Sequence, residues 1–256
     1  MIPFINEYSC RCMLGSLSRD VKIQDGVFSW VSQKKNHVVL VFDRIDLDAL
    51  ARLKEIGSGS IHYLSEDTAN ILKQEFVTDI GKGKSVVLDI KTNDFSGNKN
   101  KSFRNYLNKY ADLELRENLK DTKDLVVMLK QWSLDFGQRY FRDMSSKNRF
   151  FIENGFHVKC ENLFVYKGDE LVSFGIASPV RNGRDGGCAY IIGKALSRKY
   201  PGLADFTDLK LYQRLFDKYG PFKINMGQGE KGLLAYKMKF PGAHVQVHYH
   251  GSFKMQ

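Results

Sequence analysis

The sequence predicts an α/β protein that mixes helices with antiparallel strands. Two observations carry this. The second half reads helix, helix, strand, strand, strand, helix, strand, helix, strand, with a hairpin at Gly168-Asp169. The composition, 43% hydrophobic and 27% charged, is that of a chain with a packed core. At roughly 150 residues per domain, 256 residues make one large or two small domains.

The elements follow from local pattern. Residues 26–33 (GVFSWVSQ) and 37–42 (HVVLVF) read as strands around the polar turn Lys34-Lys35-Asn36. Over 43–56, Ile45, Leu47, Leu50, Leu53 and Ile56 form a helical stripe, and Gly57 stops it. Residues 60–64 suit a strand, and Ser65 suits the N-cap of a helix through Phe76. SVVLDI at 85–90 is a further strand. Helices are expected over 121–140, with Leu125, Met128, Leu129, Trp132 and Phe136 on one side, and over 146–154. Strands are expected over 163–167, 171–177 and 189–195, with a glycine-rich loop at 181–187. A helix over 203–219, a strand over 222–226, a short helix over 232–240 and a strand over 244–249 close the chain.

The segment 91–110 breaks the pattern, as a polar Gly/Asn loop running into a basic helix. From Gly81 to Tyr110 there are seven basic residues (Lys82, Lys84, Lys91, Lys99, Lys101, Arg104, Lys109) against Asp89 and Asp94. That stretch carries half of the net charge of +10. Three regions are expected: 1–93, a bridging loop and helix at 94–118, and 119–256. The positive balance favours a polyanionic partner. No apolar run, Val38–Phe42 among them, comes near the ~20 residues that span a bilayer. The N-terminus does not read as a signal peptide. Cys10, Cys12, Cys160 and Cys188 are too few and too irregular for a disulfide framework. A cytoplasmic protein with reduced thiols is the expectation.

Several motifs invite chemistry. Arg184-Asp185-Gly186-Gly187-Cys188-Ala189 fits [QR]-x-x-G-x-[GA], a pyrophosphate loop of acyl-CoA acetyltransferases. Such a loop must follow a strand and open a helix; this one precedes a strand and reads as a hairpin turn. Tyr200-Pro201-Gly202-Leu203-Ala204-Asp205-Phe206 has the required order, strand before and helix after, so its first helical N–H groups are expected to face a ligand. In Asn225–Phe240, glycine-rich turns lead into a lysine-bearing helix. Lys237 and Lys239 point in different directions on it, so one could face a cleft. His244, His248 and His250 share one face of a strand. The outer two lie about 20 Å apart at ~3.3 Å per residue, too far for one metal ion, so a solvated sheet face is expected and no metal site. Trp132 and Phe136, at helical spacing, are expected in the core.

Four pieces in order resemble the C-terminal-domain-like family of phosphatidylglycerol lysyltransferases, relatives of the Fem-type peptidyltransferases. Asp94-Phe95-Ser96-Gly97 to Arg104-Asn105-Tyr106-Leu107-Asn108 resembles the family's bridge, and Phe164–Phe174 its central hairpin. Tyr200–Leu209 resembles its P-G-x-x-D-F helix start, and Ile224–Phe240 its N-x-G … G-L-x-x-x-K element. The match covers roughly residues 85–256. The resemblance implies two fused acetyltransferase-like (GNAT) modules, the first reduced, each a mixed and mostly antiparallel sheet flanked by helices.

The same resemblance implies transfer of an aminoacyl group from aminoacyl-tRNA to an amine or hydroxyl of a small molecule, lipid or peptide. Asp205 and Lys237 would be catalytic. Tyr200, Gly202, Asn225, Gly227 and Gly232 would hold the donor, and Lys101, Arg104 and Lys109 the nucleic-acid backbone. No tightly bound cofactor is expected, aminoacyl-tRNA or acyl-CoA serving as co-substrate. An acyl-CoA-dependent N-acetyltransferase and a catalytically silent nucleic-acid-binding module stay open.

Overall fold

The computed structural model describes residues 22–24, 27–31, 37–41, 47–92, 94, 100–136, 160–180, 187–229 and 231–255. In chain order the elements are β1 (Lys22–Gln24), β2 (Val27–Val31), β3 (His37–Val41), α1 (Leu47–Ile56), β4 (Ser58–Leu64), α2 (Glu66–Glu75) and β5 (Val77–Ile90). Then come α3 (Lys101–Lys109), β6 (Glu114–Arg116), α4 (Thr122–Phe136), β7 (Glu161–Lys167), β8 (Glu170–Val180) and β9 (Gly187–Ala195). α5 (Leu203–Tyr219), β10 (Phe222–Gly227), α6 (Lys231–Met238) and β11 (Ala243–Lys254) complete the chain. No described helix is long and apolar enough to cross a membrane.

The chain forms two compact units, residues 1–88 with 225–256, and residues 89–224. This division differs from the expected three regions: residues 225–256 group with the N-terminal segment rather than with 119–224. The cause is β11, which pairs antiparallel with β5 along its whole length, Ala243 with Leu88 to Lys254 with Val77, and with β4 on its other side.

In the first unit the strand order is β1-β2-β3-β4-β11-β5. β3 and β4 run parallel, and α1 makes the crossover that a parallel pair requires. Ala49 and Leu53 of α1, Ala69 and Leu72 of α2 and Phe76 pack on Ile61, Leu64, Tyr249 and Phe253. Ser65 caps α2 as expected, its hydroxyl accepting from the Thr68 N–H at 3.2 Å. β5 is longer than 85–90: its first part, VTDIGKGK, is rich in glycine and lysine, and pairing with β11 makes it a strand.

In the second unit the order is β9-β8-β7-β6, and each adjacent pair is antiparallel. Phe164, Val165, Tyr166, Phe174 and Ile176 of the hairpin are buried, as are Leu203, Phe206, Leu209, Leu211, Tyr212 and Leu215 of α5. β6 lacks any strand signal of its own; Glu-Leu-Arg is extended because it pairs with β7.

α4 ends at Phe136 and buries Leu125, Met128, Leu129 and Ser133. The expected core position of the two aromatics is corrected: Trp132 is half-buried and Phe136 exposed, stacked at 5.2 Å, with the Lys194 ammonium 4.3 Å from the Trp132 ring. Phe136 lies on the same side of α4 as Leu125 and Leu129, so its exposure comes from its place at the helix end rather than from the helical phase. The expected helix over 146–154 and most of the 181–187 loop lie outside the described residues.

Candidate functional site

The residues singled out from the sequence fall into two clusters, one in each unit. In the second unit they gather at the start of α5. Gly202, the N-cap, sits in the left-handed region at φ +86°, which favours glycine. A Cβ there would come within 2.2 Å of Cε1 of Tyr106 on α3. The Pro201 carbonyl accepts from the Tyr110 hydroxyl at 2.8 Å and from the Lys109 ammonium at 3.2 Å. Tyr110 also meets Phe206 edge-on, with ring centroids 5.7 Å apart. The basic bridge and the Pro-Gly turn, separate in sequence, are one packed feature. Lys101 and Lys109 are exposed on α3 and Arg104 is half-buried.

This packing changes the expectation for the helix start. Leu203, Asp205 and Phe206 are all buried, Asp205 at 6% exposure. The first turn of α5 is covered by α3 rather than held out toward a ligand. Asp205 lies where a carboxylate complements the helix dipole.

What opens beside the turn is a cleft of about 390 Å³, lined by Lys109, Tyr110, Asp112, Lys167, Lys199 and Tyr200 among others. The ammonium groups of Lys167 and Lys199 lie 5.0 and 5.2 Å from the Tyr200 ring centroid, and that of Lys109 lies 5.0 Å from the Tyr110 ring. Both oxygens of Glu170 accept from Lys199 at 2.8 Å, and one also accepts from the Tyr200 hydroxyl at 3.2 Å. Hydrogen bonding to Glu170, followed by that to Tyr200, holds the Lys199 ammonium above its ordinary pKa. Of these residues, Lys167, Lys199, Glu170 and Tyr110 carry no motif. Lys199 stands next to Tyr200-Pro201-Gly202, but its neighbour Lys167 comes from a hairpin end 32 positions earlier, and no local pattern joins the two.

The second cluster belongs to the first unit. Lys237 of α6 is buried, at 7% exposure, and donates to the carbonyls of Met226 (2.5 Å), Gly227 (3.2 Å) and Gln228 (2.6 Å). An ammonium has three hydrogens, and three carbonyls of one turn face them here. The expectation of a lysine aimed into a cleft gives way to a clamp on the β10–α6 turn. Asn225 serves the same turn, its Oδ1 accepting from the Gly227 N–H at 2.8 Å, and Gly227 needs its φ of +71°. Gly232 is exposed, and a side chain there would meet nothing within 4 Å.

The histidine face is also corrected. His248 is buried, at 2% exposure, while His244 is exposed. The Gln228 amide nitrogen meets His248 Nε2 at 2.7 Å, and Ser85 Oγ lies 3.4 Å from Nδ1. With the amide as donor, Nε2 accepts and Nδ1 carries the hydrogen toward Ser85. Gly83 makes room: a Cβ there would fall 2.4 Å from His248 Nε2. Among the described residues no group of three His, Cys, Asp or Glu side chains gathers for a metal.

No family model matches the sequence, and no curated protein matches it. Solved structures do. A conserved protein of unknown function from Bacteroides thetaiotaomicron superposes with a TM-score of 0.71 at 14% identity, each chain covered in full. The C-terminal domain of an Agrobacterium fabrum protein assigned as a lysylphosphatidylglycerol synthetase gives 0.67 at 14%, with 97% of this chain and 87% of that one covered. FemX gives 0.58 at 13%, with 90% and 86% covered. The resemblance drawn from residues 85–256 is therefore borne out at the level of the fold, which this chain shares with the C-terminal domain of lysylphosphatidylglycerol synthetase and with FemX.

Proposed function

We propose that this protein is a GNAT-like acyltransferase that moves an aminoacyl group from aminoacyl-tRNA to an amine or hydroxyl acceptor. One observation carries the choice of donor: the start of α5 is packed beneath Tyr106 and Tyr110 of the basic helix. A CoA pyrophosphate recognised at a helix start needs exposed backbone N–H groups. Here Leu203, Asp205 and Phe206 of the first turn are buried and Tyr106 lies against Gly202, and the accessible positive charge beside it comes from lysine side chains. That arrangement suits a polyanion tracked by ammonium groups. The shared fold with a lysylphosphatidylglycerol synthetase domain and FemX supports the same reading.

An aminoacyl ester is already activated. The protein must orient the attacking nucleophile and stabilise the tetrahedral oxyanion. The nucleophile adds to the ester carbonyl and loses its proton, and the tRNA hydroxyl leaves and gains one. Asp205, buried in the first turn of α5, acts as a positioning residue that holds the helix start in place for the donor. Lys237 acts as a positioning residue, holding the turn at Asn225–Gln228 in shape. Lys101 and Arg104 contact the nucleic-acid backbone together with Lys109.

The test offers purified protein radiolabelled aminoacyl-tRNA or acetyl-CoA, with phosphatidylglycerol and small amines as acceptors. Label is expected to leave tRNA for an acceptor, with no acetyl transfer. Loss of that transfer in Asp205→Asn at unchanged tRNA affinity supports the assigned role. Acetyl transfer at a comparable rate overturns the donor assignment, and tRNA binding without transfer from any donor reduces the protein to a silent binding module.

A further inference from the structure

The cleft beside Pro201 gathers three ammonium groups around two tyrosine rings. We infer that it is a binding site for a phosphate-bearing nucleotide, with the base or ribose against Tyr200 and the phosphate among Lys109, Lys167 and Lys199. The inference rests on the aminoacyl-tRNA reading only in placing that nucleotide at the end of a nucleic-acid donor.

Three features argue for it. Its volume, about 390 Å³, falls in the range of small-ligand sites, roughly 300–1,000 Å³. Three lysines and Asp112 line one concave surface, and Glu170 offsets part of the charge of Lys199. Like charges so placed repel one another and concentrate an anion. Each ammonium also lies within 5.0–5.2 Å of a tyrosine ring lining the same cleft. Rings and cations in one cleft give a base an aromatic surface and its phosphate a charged partner, the base taking the place of an ammonium over the ring.

Glu170 sets the resting state. It holds Lys199 and the Tyr200 hydroxyl together, so it orders the platform while competing with an incoming phosphate for Lys199. The sign of its effect is therefore opposite to that of the lysines. Removing its charge should strengthen anion binding, while removing a lysine should weaken it.

The experiment is equilibrium binding of adenosine 5′-monophosphate to the full chain by calorimetry, with adenosine, inorganic phosphate and phosphatidylglycerol vesicles as companion probes. Lys167→Ala and Lys199→Ala are each expected to weaken the monophosphate by about fivefold, as loss of a partly exposed charged contact should. Glu170→Gln should tighten it by about twofold. Tyr200→Leu should bring its affinity down to that of inorganic phosphate. Both lysines are at the surface of the cleft, so their variants test binding and not folding; circular dichroism confirms this for each.

Unchanged affinity in both lysine variants overturns the assignment. So does equal binding of the monophosphate and inorganic phosphate by the unaltered protein. Vesicle binding that is lost in the lysine variants, without monophosphate binding, also overturns it by making the site one for a lipid headgroup. Monophosphate binding with the predicted variant pattern upholds the cleft even where aminoacyl transfer is absent. Transfer by a protein whose cleft ignores nucleotides overturns the cleft and leaves the reaction standing.

Discussion

The two lysine-bearing regions use the same side chain in opposite ways. At the β10–α6 turn, one buried ammonium is consumed by three carbonyls of the chain itself. Beside Pro201, three ammonium groups stand over tyrosine rings at the edge of a cleft. A buried lysine must satisfy its hydrogens internally, because an unpaired charge away from water is costly. An exposed lysine keeps water as a partner and can exchange it for a ligand. A lysine in a motif is thus informative about binding only once its burial is known.

Lys237→Met is the sharpest way to break this contrast. It strips three carbonyls of their donor, and the expected loss is about 3 kcal/mol of stability, read by urea unfolding. A loss below about 0.5 kcal/mol would show that the ammonium is no clamp. Gly202→Ala comes next. It combines a positive φ with a Cβ against Tyr106, for an expected loss of about 2 kcal/mol. The double variant with Tyr106→Ala should recover the steric part beyond simple additivity, as a double-mutant cycle would measure.

Tyr166 sharpens the comparison from the polar side of the second unit. Its hydroxyl donates to Asp124 at 2.9 Å and accepts from the Lys120 N–H at 2.9 Å. Burial first, and then the hydrogen bond to Asp124, push its pKa up to about 12. The folded state therefore favours the protonated phenol. Its contribution is complete below the unfolded value of about 10 and is lost as pH rises from there through about 12. Tyr166→Phe should cost about 1 kcal/mol at neutral pH and flatten that alkaline decline, both measured by denaturant unfolding across pH. The smallest effect belongs to Lys167→Ala: stability within about 0.5 kcal/mol, with the salt dependence of tRNA binding shallower by roughly 0.7 in log–log slope, as for one single-strand phosphate contact.

Local pattern located most of the elements because each carries its own signal. Ser65 precedes a helical stripe and caps α2. Gly168 turns the hairpin at φ +61°, and the 203–219 helix has the expected bounds. Where an element owes its form to a neighbour, its own residues carry no signal or a misleading one. Glu114–Arg116 becomes a strand through β7, and the glycine- and lysine-rich start of β5 through β11. The candidate residues show the same split. Gly202 and Gly227 were legible as turn glycines. Lys167 and Glu170, which come from the two sides of the hairpin turn and meet Tyr200 or Lys199 in space, were not.

By itself the sequence determined the α/β class, the hairpin, the basic bridge and the Pro-Gly turn, because periodicity, capping and backbone freedom act over a few residues. The tertiary structure alone decided that the bridge packs on that turn, that His248 lies inside and that Lys237 faces its own backbone. Those outcomes depend on which surfaces lose contact with water, and burial is settled by contacts between residues far apart in the chain.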